Sequence, residues 1–223
     1  MNEPNVAIVD FGMGNLFSVK RACEESGMNA TITHSRDEIL AADAVFLPGV
    51  GAYGDAMASL QRLDLIPVLR DIAHSETPLV GICLGMQLLM TESEEFGVTR
   101  GLDLIPGRVV RLGAPQQSGR TLKVPQVGWN EIRTVGSGWS ETVLSGIPDR
   151  SYLYFVHSLV VVPDAPDVVI STTRYGDVEF CSSLQKKNLF ACQYHPERSG
   201  TIGIKIYDKI KNWIGSRVTS TRR

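Results

Sequence analysis

Cysteine is sparse and scattered in this sequence. The four residues, Cys23, Cys83, Cys181 and Cys192, form no CxxC pair, and a chain of 223 residues can bury a core without disulfide staples. A reducing, cytoplasmic setting is therefore expected. No run of about 18 apolar residues offers a bilayer span, and no charged-then-apolar leader precedes Glu3. Neither charge dominates. With 22 Lys plus Arg against 24 Asp plus Glu, the net charge of −2 lacks the basic footprint of a nucleic-acid or anionic-membrane binder. A composition 43% hydrophobic and 21% charged also excludes a disordered chain, a fibre and a coiled coil. With no repeat, low-complexity tract or linker, residues 1–223 are expected to form a single domain.

What is present begins as alternating strands and helices. Asn5 to Val9, Thr31 to Thr33, Ala44 to Leu47 and Pro78 to Ile82 are short β-branched or apolar runs, each leading into a mixed helical stretch. The helix from about Asn15 should stop at Gly27, and Ser35 with Glu38 makes a capping box. Two further helices are expected over roughly Asp55 to Arg62 and Asp64 to Ser75. Beyond Gly107 the chain becomes Val-rich and aromatic, with strands expected at Arg108 to Leu112, Tyr152 to Val156, Val168 to Thr173, Val178 to Leu184 and Leu189 to Tyr194. The connection at Lys186 to Asn188 reads as a hairpin, so part of this half is antiparallel. Ile202, Ile206, Ile210 and Trp213 form one helical stripe. Gly113 to Gly119 and Thr134 to Ser140 read as surface loops, and Thr219 to Arg223 as a frayed tail.

The strongest chemical signal is Gly81-Ile82-Cys83-Leu84-Gly85, placed after a buried strand and before a helix. This is the cysteine form of a nucleophile elbow: flanking glycines permit a sharp strained turn that pushes the thiol out, and the helix N-terminus favours the thiolate. A small core cysteine in a glycine turn would look the same locally. A thiol nucleophile also needs a base and an orienting acid, and Gln193-Tyr194-His195-Pro196-Glu197 offers both. His195 ends an apolar strand, and strand ends of a parallel sheet gather on one edge. Alone, that pair could be structural; beside an elbow cysteine it reads as catalytic. His157 is the rival base, without a nearby carboxylate. Pro48-Gly49-Val50-Gly51-Ala52 exposes backbone N–H groups on the same edge, able to complete an oxyanion hole with the N–H of Leu84. Cys192 and His195 have C-x-x-H spacing but no second half of a zinc site, so no metal is expected. Gly12-Met13-Gly14-Asn15 lacks the third glycine of a dinucleotide fingerprint, so no cofactor is expected either.

Together these segments resemble the class I, triad-type glutamine amidotransferases, and among them the glutaminase subunits of imidazole glycerol phosphate synthase. The resemblance spans about Asn5 to Trp213. It is carried by DFGMGN at Asp10 to Asn15, LPGVGA at Leu47 to Ala52, GICLGMQLL at Gly81 to Leu89, PQVGWN at Pro125 to Asn130, YFVHS at Tyr154 to Ser158 and QYHPERS at Gln193 to Ser199. It implies a flavodoxin-like α/β sandwich, with a mostly parallel central sheet, helices on both faces and a smaller antiparallel sheet. It also implies a glutaminase in which Cys83 attacks L-glutamine, His195 shuttles the proton and Glu197 holds the imidazole. In such enzymes backbone N–H groups of Leu84 and the Val50-Gly51 turn hold the oxyanion, while Gln87, Gly51, Ser158 and Leu159 bind glutamine. The implied partner is a (β/α)8-barrel cyclase in a heterodimer, faced by Asn15, Trp129 and Arg198, with ammonia passing between subunits and neither nucleic acid nor membrane involved. Departures from the family pattern fall at Gln126 and Val127, at Leu159 and at Arg198, with Gln126 and Arg198 expected on the docking face. Paralogues that supply ammonia for sugar amidation in surface polysaccharide synthesis form the second reading.

Overall fold

The computed structural model describes residues 3–136 and 138–221, the last four by their backbone alone. The first half runs β1 (Asn5–Val9), α1 (Leu16–Glu25), β2 (Asn29–Thr33), α2 (Arg36–Ala41), β3 (Ala44–Gly49), α3 (Tyr53–Arg62), α4 (Leu65–His74), β4 (Leu79–Cys83) and α5 (Leu84–Leu88). Strands dominate next: β5 (Met90–Ser93), β6 (Thr99–Arg100), β7 (Ile105–Arg111), β8 (Gln116–Gln117), β9 (Arg120–Thr121), β10 (Gln126–Glu131) and β11 (Arg133–Thr134). The chain closes with β12 (Tyr152–His157), β13 (Leu159–Pro163), β14 (Val169–Tyr175), β15 (Val178–Lys186), β16 (Leu189–Cys192) and α6 (Gly200–Thr221).

Local chemistry sets several of these boundaries. The Asn15 side chain accepts from Ser18 N–H and caps α1, and Gly27 follows that helix at φ +73°. Ser35 caps α2 through the N–H of Glu38, but the reciprocal half of the expected capping box is missing, because Ser35 N–H donates to Thr33 Oγ1 instead. The α5 helix has only five residues, so the dipole behind Cys83 is that of a single turn.

Eight strands pair in the order β11-β14-β15-β16-β4-β3-β1-β2. Pairings from β2 to β16 are parallel, and those from β16 to β11 antiparallel. A separate four-stranded sheet runs β13-β7-β5-β6, and β10 pairs with β12 as a two-stranded ribbon. Alternation along each strand feeds two cores. Val6, Ile8, Phe46, Val80 and Phe190 meet α1 and α6, while Ala7, Val9, Val45, Leu47 and Leu79 meet α3 and α4. Each such fully buried large side chain contributes about 1.5–3 kcal/mol, which makes this sheet a stiff support for whatever its edge carries.

Some expectations change. β10 contains Gly128 and follows Pro125, turn-like features that hide a strand, and β13 follows β12 after Ser158 alone, so the two read as one run. Trp139, in the stretch expected to be a surface loop, is buried and donates its indole N–H to the Ile170 carbonyl. The α6 stripe buries Ile206, Ile210 and Ile214, with Ile202 and Trp213 at its margin. Helix α6 extends through Thr221, into the tail expected from Thr219, and Arg222 and Arg223 lie outside the described residues.

Two glycine substitutions test this packing in opposite directions. A Cβ at Gly85 would sit 1.6 Å from the backbone oxygen of Leu47, whereas one at Gly215 on α6 meets nothing within 4 Å. Urea unfolding should find Gly85→Ala destabilised by about 3 kcal/mol, and Gly215→Ala stabilised by about 0.5–1 kcal/mol. Equal stabilities would contradict the α5-on-β3 packing.

Candidate active site

Strand order brings the chemical motifs together. β4 lies between β3 and β16, with Gly81 level with Leu47 on one side and Ala191 on the other. Gly49 pairs with Cys83, so the Val50-Gly51 turn leaves the sheet beside the sulfur, while β16 runs on into Gln193, Tyr194 and His195. Cys83 has φ 55° and ψ −110°, a left-handed backbone that costs a side-chain-bearing residue about 1–3 kcal/mol. This is the strained elbow expected of the sequence. Its thiol, however, is not thrust into open solvent: Cys83 is only 5% exposed and lies against a cavity of about 250 Å³. Val50, Gly51, Leu84, Gln87, Ser158 and Leu159 all line that cavity with it. The sequence-derived oxyanion and glutamine-binding residues therefore share one space.

His195 is held from behind. Its Nδ1–H donates to Glu197 Oε1 at 2.7 Å, with the two side chains 6% and 2% exposed. A 3₁₀ turn over Pro196–Arg198 folds the carboxylate back to the ring. The His195 backbone is tied to β12 as well, its N–H donating to Tyr154 O at 2.9 Å, while Ser199 Oγ donates to His195 O at 2.6 Å. Nε2 is buried and makes no aligned hydrogen bond, as is common before substrate tightens a site. Burial lowers the imidazole pKa, but the charge and proximity of Cys83 and the Glu197 carboxylate outweigh it and raise the value to about 10. An imidazolium beside Cys83 is the state this favours.

His157 also borders the cavity, and its environment answers the question of the rival base. Burial pushes its pKa down to about 4, the Leu159 carbonyl partly opposes this, and His195 lowers it further. Its Nδ1–H donates to Leu159 O at 2.9 Å, and its ring packs against Phe155 and Phe180. It is a neutral ring with a weakly basic free nitrogen and no carboxylate behind it.

Other sequence-derived residues fall as follows. Gln87 is buried, and its Nε2 donates to Leu159 O at 3.4 Å and to Gln193 Oε1 at 3.1 Å. Gln193 in turn directs Nε2 at Cys83 Sγ, 3.5 Å away. Trp129 is 55% exposed on the β10–β12 ribbon, and Arg198 is exposed with its guanidinium 4.6 Å above the Tyr154 ring. Gln126 corrects an expectation: it is buried on the inner side of that ribbon, opposite His157, and its neighbour Val127 is the exposed one. Cys192 donates to the Tyr194 carbonyl, and His195 donates its Nδ1–H to Glu197. Sequence reasoning missed Glu95, the one acidic residue on the cavity, whose carboxylate accepts the Tyr53 N–H at 2.6 Å. It sits in the acidic stretch Glu92 to Glu95, where nothing marks it out.

The two histidines should titrate far apart. In ¹⁵N NMR spectra of the labelled chain, His157 is expected to stay neutral as its Nδ1–H tautomer until pH falls to about 4. His195, raised, should remain protonated until pH climbs to about 10 and should lose much of that shift in Cys83→Ala. Both rings titrating near 6.5 would contradict the geometry.

Comparison with known proteins gives the family. The family model for class-I glutamine amidotransferases matches residues 7–209. The imidazole glycerol phosphate synthase subunit HisH of Moorella thermoacetica is 47% identical over 201 residues, covering 90% of this chain and 91% of its own. The HisH subunit of Syntrophotalea carbinolica is 44% identical, covering 90% and 96%. Among solved structures, PurLQS of Thermotoga maritima aligns with a TM-score of 0.71 at 18% identity, covering 95% of this chain and 99% of that one. The glutaminase domain of Trypanosoma brucei CTPS aligns at 0.66 and 16% identity, covering 96% and 94%. No helix among the described residues is long and apolar enough to cross a membrane. A strained cysteine facing a carboxylate-backed histidine, on a sheet shared with these structures and in a sequence this close to the HisH subunits, makes the chain a member of the class-I glutamine amidotransferase family.

Proposed function

We propose that this chain is the glutaminase subunit of imidazole glycerol phosphate synthase, converting L-glutamine to L-glutamate and ammonia for a partner cyclase. The observation that carries the reading is the proximity of Cys83, on its strained bend, to the Glu197-backed His195. The Cys83 thiolate attacks the side-chain amide carbon of glutamine, forming a C–S bond. Negative charge moves to the amide oxygen, which we assign to the backbone N–H groups of Leu84 and the Val50-Gly51 turn, residues that line the cavity. Collapse breaks the C–N bond as His195 Nε2 gives its proton to the leaving nitrogen, so ammonia departs and a glutamyl thioester remains. Water, deprotonated by His195, then attacks the thioester; glutamate leaves and the thiolate returns. Glu197 keeps Nε2 aimed at the sulfur by holding Nδ1 throughout.

Chemistry also suggests how the substrate lies. Glutamine carries an α-ammonium, and Glu95 is the anionic side chain on the cavity wall. We assign the α-carboxylate to the backbone N–H groups at Ser158 and Leu159, which line the cavity, and Gln87 holds that strand through the Leu159 carbonyl.

The acceptor of ammonia follows from the relatives' names and from an exposed surface. Ammonia released into neutral water becomes ammonium, which has no lone pair for attack, so production next to a bound acceptor is favoured. Val127, Trp129 and Tyr152 are exposed large side chains on one face of the β10–β12 ribbon, with Tyr154 and the overlying Arg198 beside them. A tryptophan-centred patch of this kind suits a protein partner, here a (β/α)8-barrel cyclase, with Asn15 at the start of α1 facing it too. The resulting heterodimer is read as a cytoplasmic enzyme that carries the lyase reaction as a complex.

With the cyclase and its substrate present, Cys83→Ala is expected to lower glutamine-dependent product formation by at least about 10³-fold, while added ammonium salts at alkaline pH support the wild-type rate. Glutamine-dependent turnover within about tenfold of wild type would overturn the assignment of the nucleophile.

A further inference from the structure

We propose that Gln193 is a catalytic residue that acts on the nucleophile itself, its side-chain N–H holding and stabilising the Cys83 sulfur as a thiolate through a buried amide relay that begins at the Leu159 carbonyl. The proposal rests on the reading of Cys83 as the nucleophile and adds a residue to it.

The direction of the relay follows from hydrogen-bonding logic. A backbone carbonyl only accepts, so the Gln87 amide must turn its nitrogen to Leu159 O, 3.4 Å away. That same nitrogen lies 3.1 Å from Gln193 Oε1 and gives its second N–H there. With its oxygen so engaged, Gln193 has only its NH₂ to direct at Cys83 Sγ, at 3.5 Å. His157 Nδ1–H reinforces the starting point by donating to the same Leu159 oxygen at 2.9 Å. Val156 O, the backbone carbonyl that a thiol proton would meet, is 4.0 Å from the sulfur, farther than the Gln193 donor. The sulfur is thus an acceptor from Gln193, a role that an anionic sulfur fills better than a neutral thiol.

Burial makes this worth more than a surface contact. Gln193 is 0% exposed and Gln87 4%, so neither amide can exchange the network for water without opening the core. A donor to an ionised group in such a site is among the stronger hydrogen bonds proteins make. Gln193 is also placed rigidly, its own N–H donating to Ser182 O at 2.9 Å as β16 leaves the sheet. Two roles are thereby separated. His195 supplies and takes the proton, and Gln193 supplies a fixed dipole that cannot titrate.

The groups that bear on Cys83 ionisation are His195 with Glu197 behind it, His157 from β12, Glu95 across the cavity and Cys192 from β16. None changes in the test. The full-length chain is labelled with iodoacetamide between pH 5.5 and 10, and Cys83 carbamidomethylation is followed by peptide mass spectrometry. The wild type is compared with Gln193→Leu, which removes the donor, and Gln193→Glu, which keeps an oxygen for Gln87 but turns a carboxylate oxygen to the sulfur. The expected result is a labelling rate at pH 7 about tenfold lower in Gln193→Leu and lower still in Gln193→Glu, with the plateau rate at high pH within about twofold of wild type. An unchanged pH 7 rate in a variant with a wild-type circular dichroism spectrum overturns the proposal. So does a plateau that falls as far as the pH 7 rate, which would mean altered access, and so does failure of both variants to fold, which would make Gln193 a packing residue. The Cys83→Ala turnover assay stays separate: if that variant keeps glutaminase activity, the nucleophile is wrong whatever the labelling rates do.

Discussion

The site depends on one placement, β4 clamped between β3 and β16. In register, Gly49 of β3 lies beside Cys83, and Cys192 of β16 beside Ile82, so three chain segments leave the same sheet edge within one residue of each other. Parallel pairing makes this possible, because all three strands present their C-terminal ends together. The two cores beneath explain why the edge holds its shape. Cys83 keeps a backbone angle that an isolated cysteine would abandon, and the strain of about 1–3 kcal/mol is offset by a sheet packed on both faces. Gly85 lets α5 lie against the Leu47 carbonyl, closing the bend on its far side.

Electrostatics then divides two neighbouring imidazoles between two tasks. Both are buried, and burial alone would make both neutral. His195 escapes because Cys83 lies on one side and Glu197 on the other, whereas His157 has only a carbonyl oxygen and a like-charged neighbour. The fold thus builds one charged ring and one neutral ring side by side, the neutral one on the cavity wall. The neutral one braces the Leu159 peptide, where the Gln87 amide also ends. A buried polar cluster of this type carries a cost if any member is left unpaired, and that cost works against small shifts of the nucleophile.

Much of this was legible in the sequence, for definite physical reasons. A glycine-flanked cysteine between an apolar strand and a helix has few other structural uses, and His195-Pro196-Glu197 keeps acid and base on one short tether, so local spacing already encoded their geometry. Strand runs such as Asn5 to Val9 and Pro78 to Ile82 were legible because the strands found there, Asn5–Val9 and Leu79–Cys83, are buried on both faces past Asn5, leaving few polar positions to blur them. The parts that were not legible depend on contacts between distant segments. Glu95 resembles any surface glutamate until the fold carries it to the cavity, and Trp139 sits in a glycine-rich stretch whose burial comes from an indole hydrogen bond to Ile170. The resemblance puts Gln126 on the docking face, but strand alternation puts it inside and Val127 outside. Gln193 was read only as part of a motif, since its partners Gln87 and Cys83 lie more than a hundred positions away.

The central claim is that the Cys83 sulfur forms a covalent bond to the glutamine carbon. It is tested most directly by mixing the chain, its cyclase partner and glutamine, quenching in acid within milliseconds, and weighing the Cys83 peptide. The account predicts a glutamyl adduct on Cys83 that forms and decays with turnover and persists longer when water attack is slowed in His195→Asn. Glutamate accumulating at the normal rate while the Cys83 peptide never gains mass would contradict it.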